Sequence, residues 1–272
     1  MSFPRAFGRM DGRVALVTGA SSGIGAAIAR LFLDKGARVH AVARREDAMR
    51  SELGEEAVRE GRCVLHPLDV SDSGQMTLLG AQLAASDPID TYVAAAGYNI
   101  PDRRVAQLTV EAWDQLIATN LNGPLYLLLS TLDQLRASNG DFVAISSVTA
   151  AWPDHAGAAY GASKAGLLAL ARAVGIDEHG NGVRVTSVLP GVVDTPILDK
   201  RPIPPARELR DWMVQPGDVA EAVLTAVTLP ARANIAELTI VATRLQAMGD
   251  TQAANPVLPP SLRSGAERNP PA

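Results

Sequence analysis

The chain has 272 residues, 47% hydrophobic and 20% charged, with 25 Lys and Arg against 29 Asp and Glu for a net charge of −4. That length can enclose one large α/β core, and the acid excess gives no basic footprint for nucleic acid and no polybasic signal for a membrane surface. The single cysteine, Cys63, excludes an intramolecular disulfide, and no set of metal ligands can be built around it.

Met1-Ser-Phe-Pro-Arg lacks the apolar stretch of a signal peptide, and no uncharged apolar run reaches the ~20 residues that a membrane span requires. The expectation is a soluble, cytoplasmic protein whose partners are small molecules.

In chain order, an apolar strand near 14–18 breaks into Gly19-Ala-Ser-Ser-Gly-Ile-Gly25, which opens a helix near 23–35. This is the arrangement of strand, phosphate loop and helix: glycines allow a sharp exit from the strand, close approach to a pyrophosphate and tight helix packing, while the helix end offers free N–H groups to an anion. A second strand near 38–43 ends at Ala43-Arg44-Arg45 before a helix near 46–59, and a third near 62–66 holds Cys63 and leads to Asp69 and Val70. A helix follows near 72–85, with Asp72 as N-cap, then a fourth strand near 90–95 running into Ala94-Ala-Ala-Gly97. The long helix expected near 109–136, capped by Thr109, contains Asn120. The fifth strand, near 141–146, closes on Ser146-Ser147; a helix near 158–178 carries Tyr160 and Lys164; and the sixth strand, near 182–188, runs to Pro190-Gly191. A helix near 217–230 and a strand near 236–241 complete the alternation, which predicts an α/β doubly wound Rossmann fold: a seven-stranded parallel sheet with helices on both faces. Residues 1–250 are expected to form a single domain, and the Pro-rich 251–272, without periodicity, a flexible tail.

Tyr160-Gly-Ala-Ser-Lys164 sets a phenol and an ammonium four residues apart, on one helix face. A tyrosine pKa of about 10 must fall by roughly 3 units, about 4 kcal/mol, for proton exchange near neutrality. A fixed cation nearby can supply that. Alone, the pair also fits a surface tyrosine beside a solvated lysine.

Together, Thr18-Gly-Ala-Ser-Ser-Gly-Ile-Gly25, Asp69-Val70, Ala94-Ala-Ala-Gly97, Asn120, Ser146-Ser147, Tyr160-x-x-x-Lys164 and Pro190-Gly191 through Thr195 resemble, in order and spacing, the short-chain dehydrogenase/reductase family from about Gly12 to about Ala242. The resemblance implies a nicotinamide cofactor held by Gly19, Ser21, Ser22, Gly23, Ile24 and Gly25 at its pyrophosphate, and by Asp69 and Val70 at the adenine. Ala96, Gly97, Tyr160, Lys164, Pro190, Gly191, Val193 and Thr195 are the further contacts it implies. At the end of the second strand NAD-binding members carry an acid and NADP-binding members an arginine. Ala43 stands at that acid position and Arg44 and Arg45 follow, so NADP(H) is expected, with Arg44 the better candidate for the 2′-phosphate. The alternative is that Arg44 and Arg45 are solvated and Glu46 or Asp47 takes the ribose.

By the same resemblance Ser147 and Tyr160 bind a substrate carbonyl oxygen, Tyr160 is the general acid/base, Lys164 keeps the phenol acidic, and Asn120 holds a water that links Lys164 to solvent. The activity implied is hydride transfer between nicotinamide and a carbonyl or secondary alcohol. A non-catalytic NADP-binding sensor or scaffold, and an epimerase or dehydratase on the same fold, are the competing readings. One departure is Ala94, where the family usually has an asparagine tying the fourth strand to its neighbour. The substrate pocket is expected to use Tyr98, Asn99, Trp152, His155 and a lid over 196–215 containing Arg201 and Arg207. Excess apolar surface on the helices near 109–136 and 160–177 predicts a homodimer or homotetramer.

Overall fold

The computed structural model describes residues 7–152 and 154–246; the expected 251–272 tail lies outside the described residues. Seven strands form one sheet: β1 (Val14–Thr18), β2 (Arg38–Ala43), β3 (Cys63–Pro67), β4 (Thr91–Ala94), β5 (Asp141–Ile145), β6 (Arg184–Pro190) and β7 (Glu237–Ile240), in the order β3-β2-β1-β4-β5-β6-β7. Every pairing is parallel. Parallel strands need crossovers and are covered on both faces, which is why β5 and β6 are buried along their whole length.

One face of the sheet packs on α1 (Gly23–Asp34) and α9 (Pro216–Thr228) through Ile28, Phe32, Val219 and Val223. The other packs on α4 (Ser73–Ser86), α6 (Gly123–Ser138) and α7 (Ala158–Glu178) through Leu79, Leu127, Leu167 and the stacked pair Tyr92 and Phe142. At the N-terminal edge of the sheet, buried Arg13 donates to Asp90, Thr91 and Asp141, and Arg184 donates to Asp141 and to the Val227 carbonyl.

Local chemistry explains the element ends. Asp72 accepts from Gln75 N and Thr109 from Ala112 N, as expected of N-caps. The helix expected over 46–59 breaks at Gly54, whose φ of 89° a side chain disfavours, into α2 (Glu46–Leu53) and α3 (Glu55–Arg59). The helix expected over 109–136 is likewise interrupted: α5 (Val110–Ile117) passes through a π-helical segment, Ala118–Asn122, before α6. The wider turn carries Asn120, whose amide bonds off the helix, and Pro124, lacking an N–H, follows at the start of α6. A short helix, α8 (Arg207–Arg210), lies in the segment expected to be a lid. Among the described residues no helix is long and apolar enough to cross a membrane.

β2, β3 and the end of α4 are joined by a histidine relay. His40 Nε2 sits 2.8 Å from Asp87 Oδ2 and His40 Nδ1 sits 2.9 Å from His66 Nε2, the rings stacked. With Asp87 accepting from Nε2, the relay is satisfied by two neutral rings. Burial holds His40 below the usual imidazole range and His66 down at about 4, with the neighbouring His40 adding to the shift. A depressed folded-state pKa means that the unfolded chain takes the proton first, so this contribution is complete above pH ~6.5 and lost as pH falls towards 4. For His66 alone the loss is about 2 kcal/mol at pH 5. The unfolding free energy from denaturant titration is expected to fall by that order between pH 7 and 5 in the wild type and to change less in His66→Gln.

Candidate active site

A cavity of about 790 Å³ opens at the C-terminal ends of the strands, where the order reverses between β1 and β4. Crossovers leave to opposite faces on the two sides of that point, so their loops part and a crevice forms. The loop after β1 lines one wall. Gly19 has φ +70°, and a Cβ there would lie 2.8 Å from the Ala95 carbonyl; one on Gly25 would lie 2.5 Å from the Gly19 carbonyl. Only glycine allows α1 to start so close to both the loop and β4. Ser22, the N-cap of α1, makes no side-chain cap bond, so the first-turn N–H groups are left for a ligand at the positive helix end.

The missing asparagine at Ala94 is offset from β1. Thr18 Oγ1 accepts from both Ala95 N and Ala96 N at 3.1 Å, which ties the β4 exit to the β1 exit.

Arg44 and Arg45, after β2, line the far end of the cavity with Asp69 and Val70. The Arg44 side chain is 77% exposed and 3.9 Å from Asp69 Oδ2, whereas Arg45 is drawn to the loop, donating to Ser21 Oγ at 3.2 Å. Neither Glu46 nor Asp47 lines the cavity, and Glu46 pairs instead with Arg50 at 3.0 Å. Asp69 accepts from Ser71 N and Ser71 Oγ and so shapes the turn after β3.

At the other end α7 brings Tyr160 and Lys164 under the β5 exit, where both line the cavity with Ser147, Ala96, Gly97, Pro190, Gly191, Val193 and Thr195. Lys164 is no surface lysine. It is 4% exposed, its Nζ donates to the Ile145 carbonyl at 2.8 Å and lies 5.9 Å from the Tyr160 ring centre, and burial lowers its pKa to about 8. Ser147 hydrogen-bonds the Tyr160 phenol and also caps the turn at Val148–Ala150, accepting from Thr149 N at 3.2 Å.

The phenol departs from expectation: burial pushes Tyr160 up to about 12, with the Ser147 hydrogen bond pulling the other way. Desolvation of a phenolate here exceeds what the partners return, so Tyr160 holds its proton across the neutral range. Asn120 does not itself line the cavity. It is fully buried behind it, accepting from Tyr98 N, donating to the Tyr98 carbonyl and donating to Ser163 Oγ at 3.1 Å. A Cβ on Gly97 would lie 3.2 Å from both Asn120 Oδ1 and Lys164 Nζ, so this glycine lets the two approach.

Of the expected substrate contacts, Tyr98, Asn99 and Arg201 line the cavity, while Trp152, His155 and Arg207 do not. The 196–215 segment is pinned: Val214 N donates to the Val192 carbonyl, Asp194 N to the Val214 carbonyl, and Arg210 bonds both Asp194 and Asp199. Residues that sequence reasoning missed include Thr149, Asp154, Arg103 and Gln246. Thr149 Oγ1 is the buried side-chain oxygen left without a partner among the described residues. Gln246 reaches back to accept from Val192 N at 2.7 Å, over Gly191, where a Cβ would collide with it. None of these carries a local sequence signal, since each depends on loops meeting in space.

The short chain dehydrogenase profile matches residues 13–204, and the chain belongs to that family. It is 31% identical to an uncharacterized oxidoreductase of Staphylococcus haemolyticus over 85% of this chain and 97% of that one. It is 33% identical to L-fucose dehydrogenase of Rattus norvegicus, over 84% and 87%. Among solved structures, the closed form of a serine dehydrogenase complexed with NADP+ superposes with a TM-score of 0.76 at 30% identity, over 87% of this chain and 97% of that one.

Replacing Thr18 by valine keeps its shape but removes the oxygen that receives Ala95 N and Ala96 N. Leaving those donors unpaired is expected to cost about 1–3 kcal/mol in denaturant-measured stability.

Proposed function

We propose that this chain, an oxidoreductase by family, uses NADP(H) to move a hydride between the nicotinamide and a carbonyl or secondary alcohol, with Tyr160 as general acid/base. The observation that carries this reading is that Ser147, Tyr160 and Lys164 line the same cavity as the glycine loop and Arg44. The open first turn of α1 suits a pyrophosphate, and an exposed guanidinium after Ala43 suits a 2′-phosphate. The NADP+ in the related serine dehydrogenase structure supports the same preference.

A bound nicotinamide supplies or accepts the hydride. Ser147 and Tyr160 hydrogen-bond the substrate oxygen, and Tyr160, protonated at neutral pH, donates as negative charge develops there. Lys164, anchored on Ile145, places positive charge beside the phenol and favours its ionised form during transfer. Asn120 fixes the Tyr98 backbone and the width of the wall behind Gly97, a positioning role rather than a contact with substrate. In the oxidising direction Tyr160 accepts the proton, so turnover is expected to rise with pH.

Tyr160→Phe is expected to abolish turnover of a ketone, aldehyde or 3-oxo acid while leaving NADPH affinity unchanged; near-normal turnover would overturn the role. Lys164→Ala is expected to weaken both, with residual activity moved to higher pH. NADPH is expected to bind at least about tenfold tighter than NADH, about 1.4 kcal/mol, with the difference lost in Arg44→Ala.

For assembly the same reading gives a homodimer or homotetramer in the cytoplasm. Val110, Trp113 and Leu129 on α5 and α6, and Ile176 on α7, are exposed apolar side chains of the kind that mark an interface. Light scattering at micromolar concentration is expected to give at least a dimer.

A further inference from the structure

The chain returns to the cavity after its last strand. Beyond Ile240 it turns back on itself, the Ala242 carbonyl accepting from both Leu245 N and Gln246 N, and Leu245 and Gln246 line the cavity. The turn is docked at several points. Ala242 is buried, Leu245 packs on the core beneath α1 and α9, and the Arg244 guanidinium lies 5.3 Å from the Trp212 ring centre. Gly191 N donates to the Ile240 carbonyl at 2.7 Å, which ties the start of this segment to the β6 exit.

Strand register sets the turn at the reacting end. Ile145 pairs with Val188, and Ser146 N donates to the Val188 carbonyl, so Ser147 and Pro190 stand two residues beyond paired positions on adjacent strand ends. Gln246 rests on the residues that follow Pro190. Its Oε1 accepts from Val192 N at 2.7 Å and takes the space that a Cβ on Gly191 would fill. A backbone N–H can only donate, which fixes the amide with its oxygen on the loop and its nitrogen turned away. Gln246 Nε2 is then a donor without a partner among the described residues, on a side chain that lines the cavity.

Position and chemistry select the ligand for this donor. Tyr160, Lys164 and Ser147 come from α7 and the β5 exit, whereas Gln246 enters from the side of β6 and β7. A nicotinamide whose hydride reaches a carbon held at the phenol occupies this same end of the cavity. The ring is apolar apart from a primary carboxamide, whose oxygen accepts hydrogen bonds. Leu245 offers the ring an apolar neighbour, and Gln246 Nε2 offers the carboxamide oxygen a donor.

We propose that the turn after β7 is part of the nicotinamide site, with Gln246 the residue that binds the carboxamide: Nε2 donates to its oxygen while Oε1 stays on Val192 N. This assignment rests on the nicotinamide-dependent reading of the cavity and adds a binding residue from a segment outside the strand exits and α7.

The test separates the ring from the rest of the cofactor. NADPH and 2′-phospho-ADP-ribose, which keeps the phosphates but lacks the nicotinamide, are titrated calorimetrically into the full-length wild type, Gln246→Ala and Gln246→Glu. Gln246→Glu keeps an oxygen for Val192 N and removes only the donor, and the reduced ring carries no charge to attract the new carboxylate. NADPH is expected to weaken about three- to tenfold in both variants, the loss of one hydrogen bond. The ring-less fragment is expected to bind all three proteins alike, which together with an unchanged unfolding midpoint shows that the site is intact. The reduced 3-acetylpyridine analogue of NADPH keeps the carbonyl but not the amide nitrogen, and is expected to lose the same factor in Gln246→Glu. NADPH affinity unchanged in both variants, raised in Gln246→Ala as for a side chain that blocks the site, or lost together with that of the fragment would overturn the assignment. Near-normal turnover by Tyr160→Phe would overturn the acid/base role without altering these affinities, so the two readings fail separately.

Discussion

The candidate site depends on one costly arrangement, an ammonium group buried at the meeting of β5, α7 and the β4 exit. Lys164 stays there because its Nζ finds the Ile145 carbonyl at 2.8 Å, the last residue of a fully buried strand. A buried cation without such a partner would shift its pKa much further or leave the interior. Its backbone is held as well, the Lys164 carbonyl accepting from Ser146 Oγ at 2.8 Å. The helix carrying Tyr160 is thus locked at the same strand end that presents Ser147, and phenol, hydroxyl and ammonium share one register. Stability is spent here to make chemistry possible, a common feature of sites with displaced pKa values.

The second constraint is steric. The β1 exit, the loop and the start of α1 are packed so closely that Gly19 and Gly25 have no room for a side chain, and Thr18 uses its hydroxyl to bind two successive N–H groups of β4. The β1 to β4 step is also where the strand order reverses. Crevice and glycine loop therefore have one cause: the sheet parts there, and only a side-chain-free turn follows the gap closely enough to offer backbone donors to an anion.

Much of this could be read from the chain because it is written in local pattern. Apolar runs at β1, β2 and β5, the glycine loop, and the N-caps Asp72 and Thr109 each encode their structure within a few residues. Features fixed by contact between distant segments were not visible. The π-helical turn at Asn120 follows from a helix passing behind Tyr98, so a uniform helix was expected over 109–136. The expected role of Lys164 in acidifying Tyr160 considered the pair alone, whereas burial, a property of the whole fold, pushes the phenol up to about 12. Arg103 and Asp154 sit in segments with no periodicity, and only Gly157, in close contact with Arg103, betrays that their loops meet. His155 and Trp152 looked suitable by residue type, but the turn that brings Asp154 to the cavity leaves both outside its lining.

Charge distribution gives the site a character that net charge conceals. The chain has an acid excess of four, yet its cavity is lined by Arg44, Arg45, Arg103, Lys164, Lys200 and Arg201 against Asp69 and Asp154. Arg44 and Arg45 stand at one end and Arg103, Lys200 and Arg201 at the other, with the glycine loop between them. A concave, low-dielectric wall concentrates such a field. An extended polyanionic nucleotide is thereby drawn to the crevice and oriented along it. The most exposed of these cations, such as Arg44, are also the most easily screened, since the Debye length is about 8 Å at physiological ionic strength. Added salt should therefore slow nucleotide capture more than it weakens contacts around the buried Lys164, which places the salt dependence of this enzyme in association rather than in the chemical step.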